Sequence, residues 1–250
     1  MRLVARGFTQ QPRMDYNETY SPIVRLETIC AIIAQAVKED WEIQQMDVKG
    51  TYLNGILKEE VYMMQPEGFN DGTWRLCWLI KTLYGLKQLG CKWNEEFNQK
   101  LIQQDFTRLH SDPCVYIRHK TGNIKIITVW VDDLLLFTNM PDIMRHLKVE
   151  LHNLFKITNM GESSKIVGIK IEHDPENKTI SIRQVQYINS ILQKWGMNKA
   201  NKVAMPIDPH LKLESSINDT PSKSTPYALL IALLMYAAVA THPDIAYTVS

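Results

Sequence analysis

The sequence predicts an α+β fold, an antiparallel sheet with helices on one face. Three observations carry that prediction. From residue 27 to residue 155 the order is helix, strand, loop, helix, hairpin, helix. A strong hairpin signal, Lys120-Thr121-Gly122-Asn123, separates two apolar β-type runs. An aspartate pair then interrupts an apolar stretch, Val131-Asp132-Asp133-Leu134. Two adjacent carboxylates among apolar neighbours are costly and repel each other, so they imply a tight turn and a neutralising cation.

Each element has its own signal. Residues 27–37 place Ile29, Ile32, Ile33, Ala36 and Val37 on one helical face. Residues 41–46 read as a short strand leading into Asp47, and 58–69 as a loop-rich excursion. Helix 92–104 carries Trp93, Phe97 and Leu101 at helical spacing, as core residues. Strands 115–119 and 124–129 flank the hairpin turn, and the aspartate pair turns the chain into 134–138. Pro141 opens a helix with Ile143, Leu147, Leu151 and Leu154 inward. Segments 166–172 and 179–183 form a hairpin around Asp174-Pro175-Glu176-Asn177, and helix 186–195 ends at Gly196. The polar stretch 198–226 reads as a linker before a C-terminal helix, 227–241. The apolar face of that last helix is expected to pack on a further domain.

Asp47 closes one apolar strand and Asp132-Asp133 lies between two others. Three carboxylates on neighbouring strand ends form a site for two divalent metals.

Composition narrows the remaining classes. The chain has 250 residues, 45% hydrophobic and 22% charged, values of an ordinary globular protein with a sizeable core. A net charge of +1 gives no global basic footprint, so nucleic-acid binding would need a local basic face. Cys30, Cys77, Cys91 and Cys114 have no metal-ligand spacing and read as reduced intracellular thiols. No signal peptide opens the chain, and the longest apolar run, 228–240, is shorter than the roughly 20 residues a membrane span needs. The seven histidines are scattered and carry no assigned role. Both ends read as cuts from a longer polyprotein: the first residues look like mid-strand, and an apolar segment runs straight to Ser250.

Five blocks, in order, carry a family resemblance: Arg2-Leu3-Val4-Ala5-Arg6-Gly7-Phe8-Thr9-Gln10; Thr19-Tyr20-Ser21-Pro22-Ile23-Val24-Arg25; Asp47-Val48-Lys49-Gly50-Thr51-Tyr52-Leu53-Asn54-Gly55; Leu83-Tyr84-Gly85-Leu86-Lys87-Gln88; and Val131-Asp132-Asp133-Leu134-Leu135. Gln65-Pro66-Glu67-Gly68-Phe69 and His242-Pro243-Asp244-Ile245-Ala246-Tyr247 extend it. The chain resembles the reverse transcriptase of copia-type long-terminal-repeat retrotransposons over nearly its whole length.

The resemblance implies a right-hand polymerase fold. Residues 1–160 would hold partial fingers and the palm, 161–197 the end of the palm and the start of a thumb-like region, and 227–250 a helix leading toward ribonuclease H. It implies an RNA-directed DNA polymerase using two Mg²⁺ or Mn²⁺ ions, an RNA template, a DNA or tRNA primer and deoxynucleoside triphosphates. The metal ligands would be Asp47, Asp132, its less directly ligating neighbour Asp133, and the backbone carbonyl of Val48. Tyr52 matches the aromatic steric gate that excludes a 2′-hydroxyl. Gly85, Lys87 and Gln88 fall in the motif beside the templating base and nucleotide, and Arg2 and Arg6 where the fingers offer guanidinium groups to the triphosphate. Trp130 and Lys165-Ile166-Val167-Gly168 match the primer side. Ribonuclease H and integrase regions would lie elsewhere in the polyprotein, with no membrane partner. The expected location is a cytoplasmic virus-like particle with nuclear access.

The chain also departs from the family pattern. Trp130 replaces a tyrosine, and Leu89-Gly90-Cys91-Lys92-Trp93 stands for Ala-Pro-Arg-Ala-Trp. Lys165-Ile166-Val167-Gly168 stands for Tyr-Phe-Leu-Gly, and 227–234 departs from Tyr-Arg-Ser-x-Ile-Gly-Ser-Leu. Two function classes therefore remain. One is an RNA-directed DNA polymerase; the other is an inactive retrotransposon remnant serving as a scaffold or nucleic-acid-binding module.

Overall fold

The computed structural model describes residues 3–162, 165–166, 168–174, 177–203, 205–207 and 226–250. The chain divides into two compact units, Met1–Ser163 with Pro175–Lys178, and Ser164–Asp174 with Thr179–Ser250.

The first unit contains α1 (Leu26–Lys38), β1 (Glu42–Val48), β2 (Ile56–Met64), β3 (Leu76–Lys81), α2 (Leu89–Gln103), β4 (Thr107–Arg108), β5 (Val115–Lys120), β6 (Asn123–Trp130), β7 (Asp133–Thr138), α3 (Pro141–Leu154) and β8 (Ile157–Glu162). Six strands form one antiparallel sheet in the order β4-β5-β6-β7-β1-β8. Strand β7 reads Leu134-Leu135-Leu136-Phe137 without alternation, and all four side chains are fully buried. A continuous apolar run is the signature of a strand covered on both faces. The expectation of a single covered face is therefore too simple.

Helices α2 and α3 share one face of the sheet. Phe97 of α2 meets Tyr116 edge to face, with ring centroids 5.7 Å apart. From α3, Glu150 binds Arg118 at 2.5 Å and Lys125 at 2.8 Å, and Lys148 donates to Gln44. Register puts Tyr116, Arg118, Lys125 and Gln44 on the same side. Trp93, Phe97 and Leu101 are buried, as their spacing predicts. In α3 the inward set is Met144, Leu147 and Leu151, while Ile143 and Leu154 sit half-buried at its margins.

Four strands were not legible in the sequence. The stretch 58–69 is not mainly loop: β2 runs to Met64 and pairs with β3. The charged triplet Lys58-Glu59-Glu60 and a register shift between Ile56 and Val61 break the alternation that would reveal it. Inside this hairpin Leu57 and Val61 pack on Leu86, with Leu79, Leu83 and Leu89 around them. Buried Lys92 of α2 ties the hairpin down through Glu59 at 3.1 Å. Strand β8 follows α3 at the sheet edge, pairs with β1 across a second shift, and carries little apolar patterning. Strand β4 is only two residues long.

The second unit holds β9 (Lys165–Ile166), β10 (Ile169–Asp174), β11 (Thr179–Arg183), α4 (Val185–Lys194), α5 (Tyr227–Ala240) and α6 (Ala246–Val249). Its three strands are antiparallel in the order β11-β10-β9. Tyr187 of α4 packs edge to face on Tyr236 of α5 and donates its hydroxyl to the Leu233 carbonyl at 2.8 Å. Most of the stretch read as a linker, 198–226, lies outside the described residues. Among the described residues no helix is long and apolar enough to cross a membrane.

Candidate active site

The carboxylates come together through strand register. Asp47 of β1 lies directly opposite Asp133 of β7. Opposed residues in an antiparallel pair project to the same face, a few ångströms apart. Asp132 occupies the turn between β6 and β7, and its carbonyl accepts the Val48 N–H at 2.9 Å. All three aspartates therefore stand at one end of the six-stranded sheet. Asp132 is exposed, while Asp47 and Asp133 are half-buried.

Two polar side chains hold this group. Gln45, on the same face of β1 as Asp47, donates Nε2 to Asp133 Oδ1 at 2.9 Å. Lys49 places Nζ 2.6 Å from Asp47 Oδ2. Burial pushes the Asp133 carboxyl up, the Gln45 hydrogen bond holds it back, and the charges of Asp132 and Asp47 push it up further. Among the described residues no three His, Cys, Asp or Glu side chains converge into a ready-made metal cluster. The chemistry of the donors nevertheless fits a hard divalent cation: three carboxylates gathered at one sheet end, with the Lys49 ammonium already on Asp47. The Val48 carbonyl accepts the Thr51 hydroxyl at 2.7 Å, which leaves a carbonyl its second lone pair.

The turn that presents Asp132 is strained. Val131 has φ 58°, whereas Asp132 is not among the positive-φ residues. That is the sign pattern of a type II′ turn, where glycine is favoured and a β-branched residue is an outlier. The Trp93 indole, reaching from α2, donates to the Val131 carbonyl at 3.0 Å. Trp93 is thus a core residue that also pins the turn. Trp130 is the cross-strand partner of Asp133 and is half-buried.

After β1 the backbone reverses at Gly50, φ 59°, and enters a single 3-10 turn, Thr51–Asn54. Tyr52 in that turn packs edge to face on Tyr84, with centroids 5.9 Å apart, and Thr82 donates to its carbonyl. Burial raises the Tyr52 hydroxyl pKa, and the charge of Asp132 raises it further, so Tyr52 lies within electrostatic reach of the carboxylates. Tyr84 leads into Gly85, φ 96°, where a side chain would collide with the Ala5 carbonyl. Gly7 approaches Gly85 as closely from the other side, so the first and fourth sequence blocks are locked together.

Lys87 is exposed, and its backbone N–H donates to Gln10 at 2.8 Å. Gln88 is different: it is fully buried, donates to the Asp15 carbonyl at 3.0 Å and accepts from Gln10 at 3.2 Å. Its amide fastens the N-terminal segment. Arg6 is exposed in the same segment. In the second unit Lys165 is exposed, Gly168 is a positive-φ position, and Ile166 is buried opposite Ile169. Arg2 and Val167 lie outside the described residues. Sequence reading missed Gln45 and Lys49, although Gln45 stands two residues before Asp47, a spacing that in a strand selects one face, and Lys49 lies in the turn directly after β1.

The chain matches the family described as reverse transcriptase (RNA-dependent DNA polymerase) over residues 1–209. It is 36% identical to the retrovirus-related Pol polyprotein from transposon TNT 1-94 of Nicotiana tabacum, over 99% of this chain and 19% of that protein. It is 34% identical to the corresponding polyprotein from transposon RE1 of Arabidopsis thaliana, over 100% of this chain and 17% of that protein. A transposon Ty5-1 protein of Saccharomyces cerevisiae is 31% identical over 82% of this chain and 67% of its own length. The chain thus spans less than a fifth of the two plant polyproteins. No solved structure matches it.

Proposed function

The chain belongs to the reverse transcriptase family of copia-type transposon Pol polyproteins, and from that membership we propose that it is the core of an RNA-directed DNA polymerase centred on Asp47, Asp132 and Asp133. The observation that carries the reading is the register that sets Asp47 opposite Asp133 and bonds Val48 to Asp132. In this reading the six-stranded sheet is the palm, the β2–β3 hairpin belongs to the fingers, and the second unit is thumb-like.

The three carboxylates and the Val48 carbonyl would hold two Mg²⁺ or Mn²⁺ ions. When bound, such ions supply Lewis-acid activation of a primer 3′-hydroxyl and charge stabilisation at the triphosphate. The chain's own residues set the rest. Lys49 balances Asp47 until a cation displaces it. Gln45 orients Asp133. Tyr52, backed by Tyr84, places a ring beside the carboxylates, where it discriminates against a 2′-hydroxyl. Lys87 and Arg6 are exposed cations available to phosphate. Gly85 keeps the first and fourth sequence blocks in contact, and Gln88 holds that contact from within. The ligands in this reading are an RNA template, a DNA or tRNA primer and a deoxynucleoside triphosphate.

A second reading, a fold retained without catalysis, draws on Ile166. The position matching an aromatic primer contact carries an aliphatic side chain only 2% exposed. Primer extension on an RNA template with Mg²⁺ or Mn²⁺ decides between the two. Extension that disappears in Asp132→Asn supports the polymerase reading. Metal binding without extension supports the second, and absence of metal binding sinks the two-metal site itself.

A further inference from the structure

We propose that the outward face of the β2–β3 hairpin is an interface through which two copies of this chain associate. Strand alternation divides the hairpin sharply. Its inner side packs on Leu86, as described above. On its outer side Tyr62 lies directly opposite Trp78 and Met64 opposite Leu76, with Ile80 next along β3. Tyr62, Trp78, Met64, Leu76 and Ile80 are 54%, 61%, 74%, 59% and 66% exposed, and Trp74, just before β3, is 97% exposed. Together they present roughly 700–900 Å² of surface, more than the largest apolar patch of a typical monomer.

Charge argues against a nucleic-acid occupant. Residues 56–81 contain Lys58, Arg75 and Lys81 against Glu59, Glu60, Glu67 and Asp71. Lys58 faces Glu95, and Arg75 faces Asp71. Phosphate would meet a slightly acidic ribbon whose cations are mostly paired, whereas binding to a phosphate backbone depends on unpaired cations.

Area argues for a second copy. A stable interface buries about 800 Å² on each partner, and the exposed side chains of this face together with Trp74 are of that order. An isologous contact needs no second kind of surface, because the patch meets itself across a two-fold axis. The aromatic pair at its centre is of the type that dominates interface energetics.

The test is sedimentation of the 250-residue chain across about 1–100 µM, with hydroxyl-radical footprinting of the same samples. A dimer is expected, with Tyr62, Met64 and Trp78 protected as concentration rises. Trp78→Lys with Ile80→Lys should weaken association by about thirtyfold or more. The wild-type footprint needs no variant and stands even if the double substitution unfolds the hairpin. A monomer throughout overturns the proposal, as does a dimer in which these side chains stay reactive. Protection that appears only on adding single-stranded RNA assigns the face to nucleic acid and overturns it as well.

Discussion

Replacing Asp133 by asparagine should make the metal-free protein more stable. Asp47 and Asp133 are directly opposed across β1 and β7, with Asp132 beside them. Like charges in that position cost about 0.2–1 kcal/mol relative to a neutral pair. Asparagine keeps an oxygen to accept the Gln45 hydrogen bond, so that contact survives while the repulsion goes. In EDTA, Asp133→Asn should gain up to about 1 kcal/mol, seen as a melting temperature higher by about 2–4 °C for a chain of this size. The pH dependence has a definite sign. Burial, then the charges of Asp132 and Asp47 working against the Gln45 bond, raise the folded-state pKa of Asp133. The folded chain therefore holds this proton to higher pH than the unfolded chain does. Parent and variant should be nearly equal below the usual aspartate range, and the parent alone should lose stability as pH rises through the raised value.

Mg²⁺ should then reverse the order. At ten times its dissociation constant a ligand of the native state adds about 1.4 kcal/mol. The parent should gain that amount and the variant less. Equilibrium unfolding of both proteins, with EDTA and with Mg²⁺, tests both steps. A variant clearly less stable than the parent in EDTA would show that repulsion does not govern this pair. Equal stabilisation of both by Mg²⁺ would remove Asp133 from the metal site.

Three further outcomes follow from the same geometry. Trp93→Phe keeps the ring but deletes the donor to the Val131 carbonyl, and should cost about 0.5–1.5 kcal/mol in urea unfolding; an unchanged midpoint would free the turn from Trp93. Glu150→Gln leaves Arg118 and Lys125 without their shared carboxylate, and, with Glu150 partly exposed, should cost about 2 kcal/mol, read from the same unfolding curves. Tyr52→Ala should raise ribonucleotide incorporation in any preparation that extends a primer, and unchanged sugar discrimination would leave Tyr52 as packing against Tyr84.

Legibility in the sequence followed the strength of local signals. The β5–β6 hairpin was readable because Thr121 and Gly122, with φ 49° and 79°, form a two-residue loop between apolar runs. Helices α2 and α3 were readable from helical spacing and from Pro141. The β2–β3 hairpin and β8 were not, because register shifts and charged or polar residues erase the two-residue period. At the candidate site Asp47, Asp132 and Tyr52 could be picked out by motif. The roles of Gln45, Lys49 and Gln88 could not, since cross-strand register and burial of a polar amide arise only in three dimensions. Gln88 marks the boundary well: the motif resemblance implies a position beside the nucleotide, while its burial and its bonds to Gln10 and Asp15 emerge only in the fold.

The same contrast explains how an unfavourable site persists. At the end of the sheet the chain accepts opposed carboxylates, at up to about 1 kcal/mol, and a valine with φ 58°, at about 1–3 kcal/mol. Around that end lie contacts that over-determine the backbone. Trp93 fixes the Val131 carbonyl, Val48 fixes that of Asp132, and Thr51 fixes that of Val48. Behind them, Leu134 to Phe137 are buried on both faces of β7, and Glu150 fastens α3 to β5 and β6. Strain that relaxes freely cannot position a reactive group; strain held by a rigid surround can. If Val131→Gly relieves the turn, stability should rise by about 1 kcal/mol, the strain recovered less the backbone entropy of glycine. Any primer extension should then fall, because the freed turn no longer holds Asp132 where Val48 and Trp93 set it. A variant both more stable and as active would show that the positive φ is incidental, and that the placement of Asp132 comes from the sheet register alone.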